Sequence, residues 1–344
     1  MRSTRRVVVG LAGVLLAVPA AAPVTAGEDA RYRLTCDGRR ATLTGTPGPD
    51  VLTGTPGLDV IIGRGGDDVI RGRGGDDFIC GRDGDDTIRG GRGSDSFAGG
   101  AGDDVMSGGL GDADDVKYFS SKRGVALDLM AGTASGHGND TVTGVEMVFG
   151  SQHDDVIVGA EETAWIFSSG GDDVVEGGAG YSYIDAGTGH DEVRAGDGHD
   201  HVVGGPGDDV LDGGPGDGDY VDFRWARGVD ASLVTGVAKG DGEDTLAGFE
   251  NIIGSHRSDV LEGDEGANWI NGAGGTDAIL GGGGDDELTT YDRDDSVDAG
   301  AGDDLVRVGK GDDHADGGDG TDRVFGGGGL DACSNAEETK GCEA

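Results

Sequence analysis

The sequence predicts an all-β protein: a parallel β-roll, or β-solenoid, of nonapeptides of the form GGxGxDxUx, interrupted by two sets of wider spacer coils. Three observations predict it. Residues Gly45 to Ser107 read as seven consecutive nonapeptides without an insertion: GTPGPDVLT, GTPGLDVII, GRGGDDVIR, GRGGDDFIC, GRDGDDTIR, GGRGSDSFA and GGAGDDVMS. Each has Gly at positions 1 and 4, Asp at position 6 and an apolar residue at position 8, and a fixed short period of this kind marks a repeat architecture. The chain of 344 residues has 75 glycines and only 5% aromatics, too few large apolar groups for two or three conventional cores. Beyond the N-terminus no stretch has the 3.6-residue periodicity of an amphipathic helix.

The formal charge is −41. High acidity with low hydrophobicity favours disorder, and here an unbroken period competes with that tendency. A polyanion is a poor ligand for nucleic acid or anionic membrane, both of which select basic surfaces. It favours cations.

In chain order, residues 1–26 read as a signal peptide. Arg2, Arg5 and Arg6 form a positive n-region, Val7 to Val18 an apolar h-region, and Val24-Thr25-Ala26 a small-residue cleavage site. Ala20 and Ala22 are alternative cleavage points, and Arg5-Arg6 leaves open general secretory or twin-arginine export. No later apolar run approaches the roughly 20 residues of a membrane span, so the expected product is secreted, with cell-surface association open. Residues 27–44 form an N-terminal cap in which Cys36 to Thr44, CDGRRATLT, is a degenerate first unit. The first array covers 45–107, spacer coils 108–149, the second array 150–212, further spacer coils 213–253, the third array 254–334, and a polar tail 335–344. The two spacers are copies 104 residues apart: Gly132 matches Gly236, Asp140-Thr141 matches Asp244-Thr245, and Glu146 matches Glu250.

The unit explains its own chemistry. Positions 1 to 6 are turn-forming, and x-U-x suffices for a very short strand. Glycines at positions 1 and 4 allow positive φ, so the backbone can curl and aim carbonyl oxygens inward. Strand alternation sends position 8 to one face and positions 7 and 9 to the other. If each turn reverses the chain, units i and i+2 stack in parallel with an eighteen-residue coil. The position-6 aspartates then form ladders: Asp50, Asp59, Asp68, Asp77, Asp86, Asp95 and Asp104 in the first array. Asp155, Asp173, Asp191, Asp200 and Asp209 follow in the second, with Asp259, Asp277, Asp286, Asp295, Asp304, Asp313, Asp322 and Asp331 in the third. Ala164, Ser182 and Asn268 break the pattern. Carboxylates about 4.8 Å apart repel by about 1 kcal/mol per neighbour even in water. A hard cation taking carboxylate and carbonyl oxygens reverses that sign. Calcium tolerates six to eight oxygens in irregular geometry, whereas magnesium demands an octahedron and zinc prefers nitrogen and sulfur. The candidate metal ligands are therefore these aspartates, the expected cofactor is several Ca2+ ions, and folding is expected to accompany their binding at the ~0.1–1 mM levels typical of extracellular modules.

On these residues the arrays resemble the RTX, or haemolysin-type, calcium-binding repeat family. The resemblance implies a β-roll with calcium held between turns by position-6 aspartates and turn carbonyls. Family members often carry a C-terminal type I secretion signal, from which the N-terminal signal peptide here departs.

Other chemistry is thinly represented. The chain has no HExxH, GxSxG or GxxxxGK[ST] motif and no EF-hand loop, and it is read as not being an enzyme. His190, His199 and His201 suggest a transition-metal patch or, more simply, solvated turn residues. Lys117, Tyr118, Arg123 and His137, with Asp222, Arg224 and Trp225, could line a carbohydrate groove, so a glycan or protein partner, or a β-helical polysaccharide lyase or epimerase, remains an alternative. Trp165, Trp225 and Trp269 are expected to pack the wider coils. Four cysteines in an exported chain are expected to pair. Cys333 and Cys342 enclose a short loop, which leaves Cys36 with Cys80, a pairing that requires the cap to fold back over the array.

Overall fold

The computed structural model describes residues 35–111, 113–161 and 164–342. The segment 1–26 read as a signal peptide, the first part of the cap and the last two residues of the tail lie outside the described residues. Among the described residues there is no helix; the chain alternates between two sheets, as the repeat predicts. One sheet has 16 strands, from Leu43–Thr44 to Glu338–Lys340. The other begins at Val51–Thr53 and ends at Ala332–Ser334, and each of these end strands has a single strand neighbour. Within the arrays every pairing is parallel with an eighteen-residue offset: Ile61 meets Ile79, which meets Phe97, and Leu52 meets Ile70, Ile88 and Met106 in turn.

This register makes position 8 a continuous apolar column. Ile61, Ile70, Ile79, Ile88, Phe97 and Met106 are fully buried, as are Ile166, Ile184, Val202, Ile270, Leu288 and Val306 further along. Each contributes roughly 2 kcal/mol of burial, modest for nine ordered residues. Parallel stacking also aligns like side chains on the outer face. Phe149 stacks on Phe167 at 4.9 Å, Tyr183 lies 5.0 Å from His201, and His201 lies 6.0 Å from Tyr220.

Both spacers stay in the stack as wider coils, and the added length has a definite form. Val105 pairs with Thr141, an offset of 36 instead of eighteen. The intervening chain inserts an antiparallel pair, Ala126–Asp128 with Thr133–Ser135, into the second sheet. Asp230–Ser232 with Val237–Lys239 repeats this arrangement. Positions Gly132 and Gly236, at φ 69° and 65°, close the two hairpins, which accounts for one matched pair of the duplication.

The tryptophans do not pack the interior of these coils. Trp165 and Trp269 hold position 7, which strand alternation turns outward, and Trp225 is 77% exposed. The cap folds back as the cysteine pairing requires. The short ribbon of Thr35–Cys36 and Arg39–Arg40 lies on the outer face of the 16-stranded sheet. Cys36 is bonded to Cys80 there, Arg39 sits 4.0 Å over the Phe78 ring, and Arg82 donates to the Thr35 carbonyl. At the other end Cys333 is bonded to Cys342.

Candidate metal sites

The turn is more specific than the glycine pattern suggests. Position 4 takes positive φ at Gly66, Gly75 and Gly84, though not at Gly48 or Gly57, and position 1 does not. The second left-handed residue is position 2, in the first array an arginine at three turns and a glycine at two: Arg64, Arg73 and Arg82 lie at φ 91°, 89° and 91°, and Gly91 and Gly100 at 128° and 115°. Such a conformation costs a non-glycine residue on the order of 1–2 kcal/mol. Position 1 is glycine throughout the first array, where it gives space, whereas Ser168, Ala186, Ala195, Thr290, Ala299 and Val308 hold it at six later turns. A Cβ on Gly272 would stand 2.6 Å from Oδ2 of Asp277, and one on Gly54 would stand 2.6 Å from the Gly72 carbonyl oxygen and 2.7 Å from Oδ2 of Asp59. Carboxylate and next-coil carbonyl oxygens thus crowd the same small space.

Every position-6 aspartate predicted from the sequence is buried except Asp50, which is half-buried. Their Oδ1 atoms tie coils together. The backbone N–H of Asp68 donates to Oδ1 of Asp86 at 2.8 Å, and that of Asp86 to Asp104 at 2.9 Å. Asp173 to Asp191, Asp277 to Asp295, and Asp295 to Asp313 repeat the bond. A second, exposed ladder at position 5 runs the other way: Asp85 N–H donates to Asp67 Oδ1, and Asp103 N–H to Asp85 Oδ1. The inner ladder thus faces down the stack and the outer ladder up it.

The other oxygen of the inner carboxylates is the chemical anomaly. Oδ2 of Asp68, Asp77, Asp86, Asp95, Asp104, Asp173, Asp191, Asp200 and Asp209 is buried without a hydrogen-bond donor. The same holds for Asp277, Asp286, Asp295, Asp304, Asp313 and Asp322. Buried polar atoms are normally paired, and an unpaired charge is costlier still. Burial accordingly pushes the Asp86, Asp104, Asp191, Asp277 and Asp286 carboxyls up to about 7, with neighbouring aspartates adding to the rise and the backbone donor opposing it. Asp77, Asp173 and Asp313 rise to about 6 for the same reason. Among the described residues no three His, Cys, Asp or Glu side chains converge on one point. A cation between turns would therefore draw on backbone carbonyls as well as carboxylates, a donor set of hard oxygens that suits calcium.

The spacers carry the ladders through positions that the nonapeptide frame misses. Asp95 N–H donates to Asp114, Asp104 N–H to Asp140, Asp200 N–H to Asp219, and Asp209 N–H to Asp244. Glu146, Glu250 and Glu337 reach in with longer side chains to accept from Asp114, Asp219 and Asp322. The duplication flagged Asp140, Asp244, Glu146 and Glu250 as matched pairs without revealing this role. At the interrupted positions Ala164 is buried, Ser182 donates its N–H to Asp200, and Asn268 donates its N–H to Asp286.

The other candidate constellations do not assemble. His190 sits in the exposed ladder, accepting at Nδ1 from Asp208 N–H, while His199 belongs to the next turn, which leads into the opposite sheet. His201 donates from Nε2 to the Asp222 carboxylate, 2.7 Å away. Burial works against the Asp222 charge, but bonds from His201 and Arg224 outweigh it and hold the carboxyl below the ordinary range. Lys117 pairs with Asp37 beside an apolar recess of about 350 Å3 under the cap ribbon. Arg123 and His137 line a separate recess of about 370 Å3, Asp222 and Trp225 a third of about 50 Å3, and Tyr118 is buried. The carbohydrate-groove residues are thus dispersed.

The family model for the RTX calcium-binding nonapeptide repeat matches residues 44–79, 81–113, 149–184, 167–202, 185–219, 253–288, 281–314 and 298–332, together more than half of the chain. The chain belongs to this family. No curated protein matches it. The matched segments follow the RTX turns that carry the orphaned carboxylates, and the gaps between them fall largely on the spacers. No helix among the described residues is long and apolar enough to cross a membrane.

Proposed function

We propose that this RTX protein is exported and that its stack folds as its buried position-6 carboxylates and turn carbonyls take up calcium, without catalysing a reaction. The observation that carries the reading is the run of buried, donorless Oδ2 atoms from Asp68 to Asp104, repeated in the second and third arrays. Bound calcium supplies the positive charge that lets these carboxylates ionise side by side. The chain's own part is to position oxygens: Oδ1 is fixed by the neighbouring coil, which leaves Oδ2 aimed into the turn, and in the first array glycine at position 1 adds no side chain to that space. Folding and binding are then one event, because the unfolded chain has no such site. Two disulfides and the signal-like N-terminus support an oxidising, extracellular destination, where millimolar calcium is the norm for such modules.

A calcium titration of the mature chain after EGTA treatment, followed by circular dichroism and calorimetry, tests the reading. The expected result is a cooperative gain of β-signal with uptake of many ions. A spectrum unchanged between EGTA and calcium would refute coupled folding, and heat traces without binding would refute the calcium function.

A further inference from the structure

Not every inner carboxylate lacks a donor, and the exceptions are ordered. At Asp50, Asp59, Asp155 and Asp259, Oδ2 accepts the position-2 backbone N–H, from Thr46, Thr55, Ser151 and Ser255, at 2.5–2.7 Å. The Ser151 and Ser255 hydroxyls donate to Oδ1 as well, at 2.7 and 2.9 Å. Asn268 accepts the position-2 N–H of Asp264 at 2.8 Å and satisfies its amide on the Glu250 carbonyl. None of these position-2 residues has positive φ, whereas Arg64, Arg73, Arg82, Gly91 and Gly100, which precede the donorless carboxylates of the first array, all do. A left-handed residue at position 2 turns its N–H away from the carboxylate. Asp295 and Asp313 are donorless without a left-handed position 2, so the rule runs in one direction: a position-2 donor removes the orphan.

Asp140 in the first spacer reaches the same state by another route. Its Oδ2 accepts from the Tyr118 hydroxyl at 3.1 Å, and both residues are buried. Phe223 takes the corresponding place in the second spacer, shown by matching bonds: Tyr118 N–H to the Phe149 carbonyl, and Phe223 N–H to the Ile253 carbonyl. Phe223 has no hydroxyl to offer Asp244.

We infer that Thr46, Thr55, Ser151, Ser255 and Tyr118 stand in for calcium, making the turns of Asp50, Asp59, Asp140, Asp155 and Asp259 metal-independent, so that each array begins on turns that close without an ion. The first array opens on Thr46 and Thr55, the second on Ser151 and the third on Ser255. This inference rests on the calcium reading above and deepens it, because it assigns which turns are loaded and which are built in.

Hydrogen exchange of the full mature chain, read by mass spectrometry in EGTA and in calcium, tests it. In EGTA, peptides over Gly150–Asp155, Gly254–Asp259 and the Tyr118–Asp140 junction are expected to exchange at least about tenfold more slowly than those over Gly63–Asp68, Gly72–Asp77 and Gly81–Asp86. Ser255→Gly removes the hydroxyl and frees position 2 to become left-handed. It is expected to abolish the EGTA protection at 254–262 and to leave protection in calcium intact. Tyr118→Phe, which copies the second spacer, is expected to do the same at Asp140. Equal exchange of both classes of turn in EGTA, or variants that change nothing there, would overturn the sorting. Absence of any calcium-induced protection anywhere would overturn the calcium reading instead, so the two failures are distinct.

Discussion

The backbone N–H of Asp86 donates to Oδ1 of Asp104, eighteen residues later and 2.9 Å away, while Oδ2 of Asp104 is buried with no donor at all. One carboxylate thus does two jobs with two oxygens. Oδ1 sets the spacing between coils, and Oδ2 carries the unmet charge. Calcium dependence and coil stacking are therefore separable by substitution.

Asp86→Asn tests that separation. The amide oxygen can still accept the Asp68 N–H, but the donorless oxygen becomes an NH2 that cannot bind a cation. The expected result is a lower calcium stoichiometry and a folding midpoint shifted to about tenfold higher calcium, ~1.4 kcal/mol. In EGTA the variant should hold at least as much β-structure as the parent, since a buried charge has been removed. Asp86→Ala loses both functions and should be worse in calcium. Equal midpoints for Asp86→Asn and the parent would contradict the assignment.

The pH dependence follows from the raised carboxyls. Burial, opposed by the backbone donor and reinforced by neighbouring carboxylates, pushes the Asp86, Asp104, Asp191, Asp277 and Asp286 carboxyls up to about 7 in the metal-free fold, against about 3.9 in an unfolded chain. Between those values the folded state holds more protons than the unfolded one, so metal-free stability falls as pH rises from about 4 to 7. In EGTA the chain should show more β-signal at pH 5 than at pH 8. With calcium present the order reverses, because protons compete for the same oxygens, and the half-saturating calcium should climb as pH drops from 7 to 6. Circular dichroism at four pH values, with and without calcium, reads both signs.

The architecture was legible because period and chemistry agree. Position 8 is apolar and position 6 acidic in every unit from Gly45 to Ser107, and both appear where alternation and an eighteen-residue coil place them. Trp165 and Trp269, expected to pack the wider coils, are turned outward by position 7, because strand alternation outweighs their apolar character. The turn was not legible. Glycine marks permission for positive φ, not its use, and the left-handed residue at Arg73 arises because the coil-to-coil bonds over-determine it: its own N–H reaches the Gly90 carbonyl at 2.7 Å. Asp114 escaped because it lies nineteen residues after Asp95, not eighteen, and Glu146 because its longer side chain enters the ladder from another position.

The bond between Cys36 and Cys80 closes a loop of 44 residues, worth about 4 kcal/mol if it acts on the unfolded chain alone. It holds the cap ribbon against Phe78 and Arg82 without crossing the core. Cys36→Ser with Cys80→Ser should therefore lower stability by roughly 2–4 kcal/mol and expose the Thr35–Arg40 ribbon. The calcium stoichiometry should stay unchanged. Thermal unfolding in saturating calcium, with hydrogen exchange over residues 35–40, checks both halves. A change in stoichiometry would mean that the ribbon shapes the turns beneath it.

Two neighbouring glycines give the sharpest test of the turn itself. A Cβ on Gly272 would lie 2.6 Å from Oδ2 and 3.3 Å from Cβ of Asp277, inside the space shared by the carboxylate and the turn. A Cβ on Gly274, two residues on, would meet nothing within 4 Å, and its φ is not left-handed. Both substitutions remove the same backbone freedom from the unfolded chain, which alone favours alanine by about 0.4–1 kcal/mol. Gly274→Ala should therefore be neutral or slightly stabilising in calcium. Turns with Ala186, Ala195 and Ala299 hold a Cβ at position 1, but at Gly272 the 2.6 Å approach requires the Asp277 carboxylate to shift, at an overpacking cost of about 1–3 kcal/mol, so Gly272→Ala should weaken calcium binding at that turn. Paired calcium titrations of the two variants decide it. If Gly272→Ala binds as many ions as Gly274→Ala, with the same midpoint, the position-1 glycine does not guard a cation site.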